Sequence, residues 1–216
     1  MIACLAREFR LYYAKLTDLF TVFTFFALVC AIFPFGLGSE RALLQAAGPG
    51  IVWIVALLAM LISLESMLKQ DKQNGSLDQL RLLPISSMVV LSAKWLAHWL
   101  CIGVPLILLA PVLGLLYGLD GTTLQLIMLS LLLGTPCLSA LGLAAAALSL
   151  EARQAQIMLP LLVLPLSTPI IIFALGALKA SVDGLPAQTP WLVLTALPFI
   201  YLPLCLLAAQ IAIEQE

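Results

Sequence analysis

Charge is what this chain has least of. Only 10% of its 216 residues are Asp, Glu, Lys or Arg, while 63% are hydrophobic. Soluble globular domains run at about 25% charged and roughly 45–50% apolar, so a soluble domain is excluded and an integral membrane protein is expected. The net charge of −1 carries no basic stripe outside the flanks of the apolar runs, which argues against nucleic acid as a partner. No Gly-x-x-x-x-Gly-Lys-Ser/Thr occurs, so the chain cannot hold a nucleotide through a P-loop. No His/Glu or Cys/His cluster has metal-ligand spacing. The five cysteines (Cys4, Cys30, Cys101, Cys137, Cys205) are scattered without a C-x-x-C or C-x-x-C-H. A thioredoxin-like site and covalent haem attachment are therefore unsupported, and the thiols read as small hydrophobes. Carboxylates and histidines deep in the apolar runs, which proton- or ion-coupled transporters use as relays, are missing too. The expectation is a non-enzymatic chain that binds no metal or cofactor and draws its energy from elsewhere.

What the chain has is apolar length. Six runs, at about 17–38, 48–68, 88–118, 122–150, 155–178 and 190–213, reach the roughly 20 residues that a helical span needs. The predicted fold is a single all-α domain over 1–216 with six transmembrane helices. Pro105, Pro111, Pro136, Pro160, Pro165 and Pro169 break the third to fifth runs. Freed backbone groups at membrane depth are tolerated only against neighbouring helices or a cavity, so a packed bundle is expected. Small residues four apart, Ala140 with Ala144 and Gly142 with Ala146, allow close helix approach. Arg7, Glu8 and Arg10 interrupt the N-terminus before the first long run near Leu19, unlike a cleavable signal peptide. Residues 1–16 read as an amphipathic interfacial helix. Ile2, Leu5, Phe9, Tyr12, Tyr13 and Leu16 lie on one face, with Arg7, Arg10 and Lys15 away from it.

Arg7, Arg10, Lys15, Lys69, Lys72, Arg81, Lys94 and Arg153 fall on one side of the six spans, and Arg41 and Lys179 on the other. The positive-inside rule then places both termini and the 69–87 loop in the cytoplasm. The opposite side keeps only brief loops, Ser39–Ala47, Leu119–Gly121 and Lys179–Thr189.

The stretch Lys69–Arg81 is the only sizeable polar segment. Within it Ser76-Leu77-Asp78-Gln79 has the form of a capping box. Gly75 permits the turn into it, Asp78 suits the helix dipole, and Pro84 stops continuation past Leu83. Leu77, Leu80 and Leu83 cluster on one side, with Asp78 and Arg81 elsewhere. A helix of about two turns is unstable alone in water and needs a surface: lipid, the ends of the bundle, or a groove on a partner.

Three further ionisable residues lie near membrane depth. Glu65 ends the second span, and Lys94 and His98 share a face early in the third. Glu65 with Lys94 reads as an intramembrane pair. His98, the only histidine, reads first as an interfacial side chain bonded to a neighbouring helix beside Trp95 and Trp99 as aromatic anchors, and second as a ligand, for instance to haem iron.

Several segments resemble the haem exporter protein B family (CcmB), the membrane subunit of the ATP-binding-cassette complex for cytochrome c maturation. They are Gly48-Pro49-Gly50-Ile51-Val52-Trp53, Asn74-Gly75-Ser76-Leu77-Asp78-Gln79-Leu80 with Leu82-Leu83-Pro84, Ala93-Lys94 with Ala97-His98-Trp99, Leu133-Gly134-Thr135-Pro136, and Leu164-Pro165-Leu166 through Pro169. Their order, the chain length and the span count agree with the family. Asn74 and Asp78 stand where an Asp-Gly-Ser-Leu-Glu run is usual, and Ser66 and Met67 where a basic and a bulky residue are typical.

The resemblance implies an ABC-2-like export permease of the bacterial inner membrane, working as a homodimer driven by a cytoplasmic ATPase (CcmA). ATP would bind in that partner and haem would be cargo of the complex. A haem-handling membrane protein (CcmC), a small single-span subunit (CcmD) and, indirectly, the periplasmic haem chaperone (CcmE) would be companions. Asp71, Lys72, Gly75, Ser76, Leu77, Asp78, Leu80, Arg81 and Leu83 would form the coupling helix seated on the ATPase. Two other readings stay open: a non-transporting assembly platform, and a secondary transporter that works without ATP.

Overall fold

A computed structural model describes residues 2–14, 16–64, 67 and 68, 86–150 and 155–214. The described residues are helical and contain no strand. A short α1 (Ile2–Tyr13) precedes α2 (Leu16–Leu37) and α3 (Arg41–Leu64). The helical run α4 (Ser87–Tyr117) is interrupted by a π-turn at Trp99–Gly103 and closes in a 3-10 turn. Then come α5 (Gly121–Leu148), α6 (Ala155–Val182) and α7 (Gln188–Glu214). Six helices, α2 to α7, are long and apolar enough to cross a membrane. Successive spans alternate in direction. One end of the bundle, the near end, therefore gathers α1, the end of α3, the start of α4, the end of α5, the start of α6 and the end of α7.

α5 is the central helix. Its apolar stretch is 67% buried, against 17% for α2 and 22% for α7 at the periphery. Small residues make that position possible. A Cβ on Gly142 would collide with Leu64 of α3, and one on Gly134 with the Trp53 ring. Trp53 is fully buried and donates from Nε1 to Ser130 Oγ at 2.9 Å.

The second span starts earlier than its hydropathy suggests, at Arg41 rather than Gly48. Gly48-Pro49-Gly50 reads as a breaker, yet it lies inside α3. Gly48 is needed there because Tyr117 packs against it, with an added Cβ only 2.9 Å from the Tyr117 Cβ. Tyr117 is itself buried and donates to Cys30 O of α2 at 2.7 Å. The far-end connections shrink accordingly to residues 38–40, 118–120 and 183–187.

The tightest of these, at 118–120, turns on Gly118 with φ +67°, where Gln45 Nε2 donates to the Gly118 carbonyl at 2.7 Å. Asp120 then caps α5, accepting from the Thr122 and Thr123 amides and from the Thr123 hydroxyl. The Thr123 hydroxyl first, then these amides, hold its carboxyl below the ordinary carboxylate value. A depressed folded value contributes stability above the unfolded value, and this is lost as pH falls through the folded one. Amide exchange in the first turn of α5 should therefore quicken on acidification relative to Asp120→Asn, which caps without titrating. Equal pH profiles for the two proteins would contradict this.

Candidate functional site

The residues 71, 72, 75–78, 80, 81 and 83 of the expected coupling helix, and Glu65, lie outside the described residues. Their flanks are described. Met67 and Leu68 are buried after α3, packed in an apolar cluster with Leu64, Leu91 and Leu143, and Ser86 leads into α4. The polar segment is thus tethered at both sides to the near end of the bundle.

Just beyond that end, four elements bring polar side chains together. Lys94 of α4 is 2% exposed, and its Nζ donates to Glu8 Oε2 of α1 at 3.0 Å. The other Glu8 oxygen accepts from Arg7 Nη1 at 2.7 Å, at the half-buried rim. Glu8 enters the sequence reading only as an interruption of the N-terminal hydrophobicity, and it is the described partner of Lys94. The signal for it is helical phase: at 100° per residue Glu8 sits beside Leu5 and Tyr12, on the flank of the apolar face. That flank docks on α4, while Ile2, Tyr13 and Leu16 remain exposed.

Burying the pair is nearly neutral against an apolar pair of the same volume, whereas removing one partner of such a pair costs about 3–5 kcal/mol. Lys94→Met should therefore lower the thermal stability and membrane yield of the protein, with Arg7 holding the loss toward the lower part of that range. Glu8→Leu combined with Lys94→Met should lose less than the sum of the two single changes. A single variant as stable as the parent would contradict the pairing.

One turn on, His98 is fully buried between three helices. Its Nε2 lies 2.8 Å from Ser63 Oγ of α3, and its Nδ1 lies 2.8 Å from Ser139 Oγ of α5. Ser63 donates its own proton to Met60 O at 2.7 Å, so the network assigns the imidazole proton to Nε2, with Nδ1 accepting from Ser139. Tyr12 of α1 packs its ring 6.4 Å from the imidazole. The expectation of a hydrogen bond to a neighbouring helix is met twice over, in the protein interior and not at an interface. A ligand role would require Ser139 to release Nδ1.

Trp95 and Trp99, the expected aromatic anchors, each give the indole proton to α5. They stack on each other with ring centroids 6.5 Å apart, and both face α5. Trp95 Nε1 donates to Pro136 O at 3.0 Å, and Trp99 Nε1 to Thr135 Oγ1 at 3.0 Å. Three of the segments that carry the family resemblance therefore meet in space: Trp53 against Gly134, and Trp95 and Trp99 against Thr135 and Pro136. Among the described residues no group of three or more His, Cys, Asp and Glu could hold a metal ion. The arrangement offers mechanical contacts between helices and no nucleophile or acid–base pair around a cleft.

Residues 1–216 match the family described as CcmB protein. The heme exporter protein B of Pseudomonas aeruginosa is 44% identical over 207 residues, covering 94% of this chain and 93% of that protein. The heme exporter protein B of Paracoccus denitrificans is 40% identical over 214 residues, covering 99% and 98%. That of Escherichia coli K12 is 40% identical over 190 residues, covering 88% and 86%.

Proposed function

The chain belongs to the CcmB protein family, and from that premise we propose that it is the permease subunit of an ATP-driven complex for cytochrome c maturation. It is a multi-pass membrane component of haem export, and it carries no ATPase of its own. In this reading ATP is hydrolysed by a separate cytoplasmic ATPase of the CcmA kind. The 71–83 helix is seated in a groove on that subunit, and the stroke passes into the spans. The observation that carries it is the union of a family match along the whole chain with a single long polar segment tethered at both sides to the near end of the bundle. The basic bias of that same end supports placing it, with both termini, in the cytoplasm of the bacterial inner membrane. α1 then lies at the cytoplasmic interface, its exposed Ile2 and Tyr13 toward lipid. The fold is read as ABC-2-like, and two copies pair with two ATPases. Haem-handling CcmC, single-span CcmD and, indirectly, the chaperone CcmE complete the pathway, with haem as cargo of the complex and no cofactor resident in this chain.

Deleting the gene should abolish c-type cytochromes while leaving proteins with non-covalent haem at normal levels, and a plasmid copy should restore them. Normal c-type cytochromes in the deletion strain would overturn the reading.

A further inference from the structure

The apolar interior of the bundle is not one core. A large cluster fills its middle and far end, with Phe26, Trp53, Leu106 and Ile127 among its members. A smaller, separate cluster fills the near end, where Leu64, Leu68, Leu91, Leu159 and Ile213 meet. Five of the long helices, α3 to α7, pass from one cluster to the other, and polar side chains lie near the crossing on most of them. Ser63 stands there on α3, Lys94 and His98 on α4 and Ser167 on α6, while Ser139 of α5 reaches His98 from among residues of the larger cluster, all of them buried.

The helices are also weakened at this level. α4 has its π-turn at Trp99–Gly103 immediately after His98, where the Val104 amide reaches back to Trp99 O and Pro105 follows without an amide proton. α5 has Pro136 one turn before Ser139, α6 has Pro165 and Pro169 on either side of Ser167, and α7 has Pro203 beside Cys205 and Leu206, where its two cores meet. Prolines and π-bulges are the identifiable causes of helix bending, and here they interrupt α4, α6 and α7 where those helices change core, with Pro136 of α5 within a turn of Ser139. A Cβ on Gly103 would come 2.7 Å from Trp99 Cδ1, so glycine lets the indole lie back across the π-turn.

We infer that this level is a hinge seam: the near-end core moves as one block against the larger core. The physical reason lies in the kind of contact. Apolar surfaces that interdigitate resist sliding, because every displacement opens voids. A layer of hydroxyls and one imidazole can exchange partners instead. Ser139 Oγ lies 2.8 Å from His98 Nδ1 and 3.3 Å from Trp95 O, so its proton has two acceptors within reach. Ser63 likewise has Met60 O when the imidazole moves away. Movement at the seam therefore strands neither serine hydroxyl. Through Glu8 and Lys94, α1 is gripped to the near-end side and travels with that block.

The inference rests on the permease reading, and its test separates the two. Filling the seam with Ser63→Ala, His98→Leu and Ser139→Ala should join the two cores into one. We expect membrane abundance within about twofold of the parent, because a satisfied buried polar group and its apolar replacement are close to balanced. The ATPase should still be recovered with the protein, while c-type cytochrome falls about tenfold, the factor that corresponds to 1.4 kcal/mol. Undiminished cytochrome at normal abundance would overturn the hinge. If the triple variant fails to accumulate, hydrogen exchange on the intact wild-type complex decides. Exchange at 95–105 and 134–140 should differ at least about threefold between nucleotide-free and vanadate-trapped states, with 51–60 unchanged. An ATPase that hydrolyses ATP while all three segments exchange alike would overturn the hinge and leave the permease standing. Absence of any ATPase in the wild-type preparation would overturn the permease, and with it the hinge that rests on that reading.

Discussion

Gly134→Leu is expected to remove most of the folded protein from the membrane. Its position on α5 faces the Trp53 ring of α3, and even the first carbon of a side chain would overlap that ring. The ring cannot step aside. Its Nε1 is fixed to Ser130 Oγ at 2.9 Å, and Trp53 is fully buried. On the other side of the same glycine an added Cβ would lie 3.1 Å from Ile170 Cγ2 of α6, so α5 cannot roll away without displacing a third helix. Overpacking by a methylene or two costs about 1–3 kcal/mol, and leucine adds more than that. Against the roughly 5–15 kcal/mol that separates folded from unfolded domains, such a loss is severe. Detergent extraction followed by size-exclusion chromatography of a fluorescent fusion reads it directly. Leu132→Ala, two residues away and exposed, should leave the profile unchanged. A monodisperse Gly134→Leu protein at parental yield would contradict the packing described.

Leu77→Glu is expected to be equally damaging to function and harmless to folding. In the proposed coupling helix Leu77, Leu80 and Leu83 would form the apolar side of a helix too short to stand alone, which would depend on the surface covering those leucines. A carboxylate in that side must be desolvated for the helix to seat, which opposes docking more strongly than a shortened apolar side chain would. The segment lies between spans, so insertion and bundle packing are untouched. Membrane abundance should match the parent, with recovery of the ATPase and c-type cytochrome both falling below about a tenth, equivalent to at least 1.4 kcal/mol of lost docking. Cytochrome maturation that survives at normal abundance would show that the segment transmits no stroke.

The existence of six spans was legible because apolar run length survives without any knowledge of packing. Which faces meet was not. The spans are apolar on all sides, so they carry no helical phase for a reader to follow, and only their small or polar residues mark contacts. Gly142 signalled close approach correctly, whereas Gly48, where the second span was expected to begin, is the seat of Tyr117 inside α3. Glu8 was hidden for a different reason. Its partner Lys94 is 86 residues away, and a carboxylate among exposed basic residues reads as solvated. His98 was legible as a bonded side chain but not as part of a layer, since Ser63 and Ser139 are unremarkable until three helices bring them to one height. Thr135 and Pro136 accept the indole protons of Trp99 and Trp95, contacts between helices that hydropathy does not signal.

The most direct measurement is purification of the tagged chain from its native membrane in mild detergent, in parental and Leu77→Glu forms, with identification of everything recovered. The expected result is an ABC-type ATPase together with a haem-handling membrane protein in the parental sample, and loss of the ATPase alone in the variant. Recovery of the intact bundle with no ATPase in either sample would contradict a partner-driven permease.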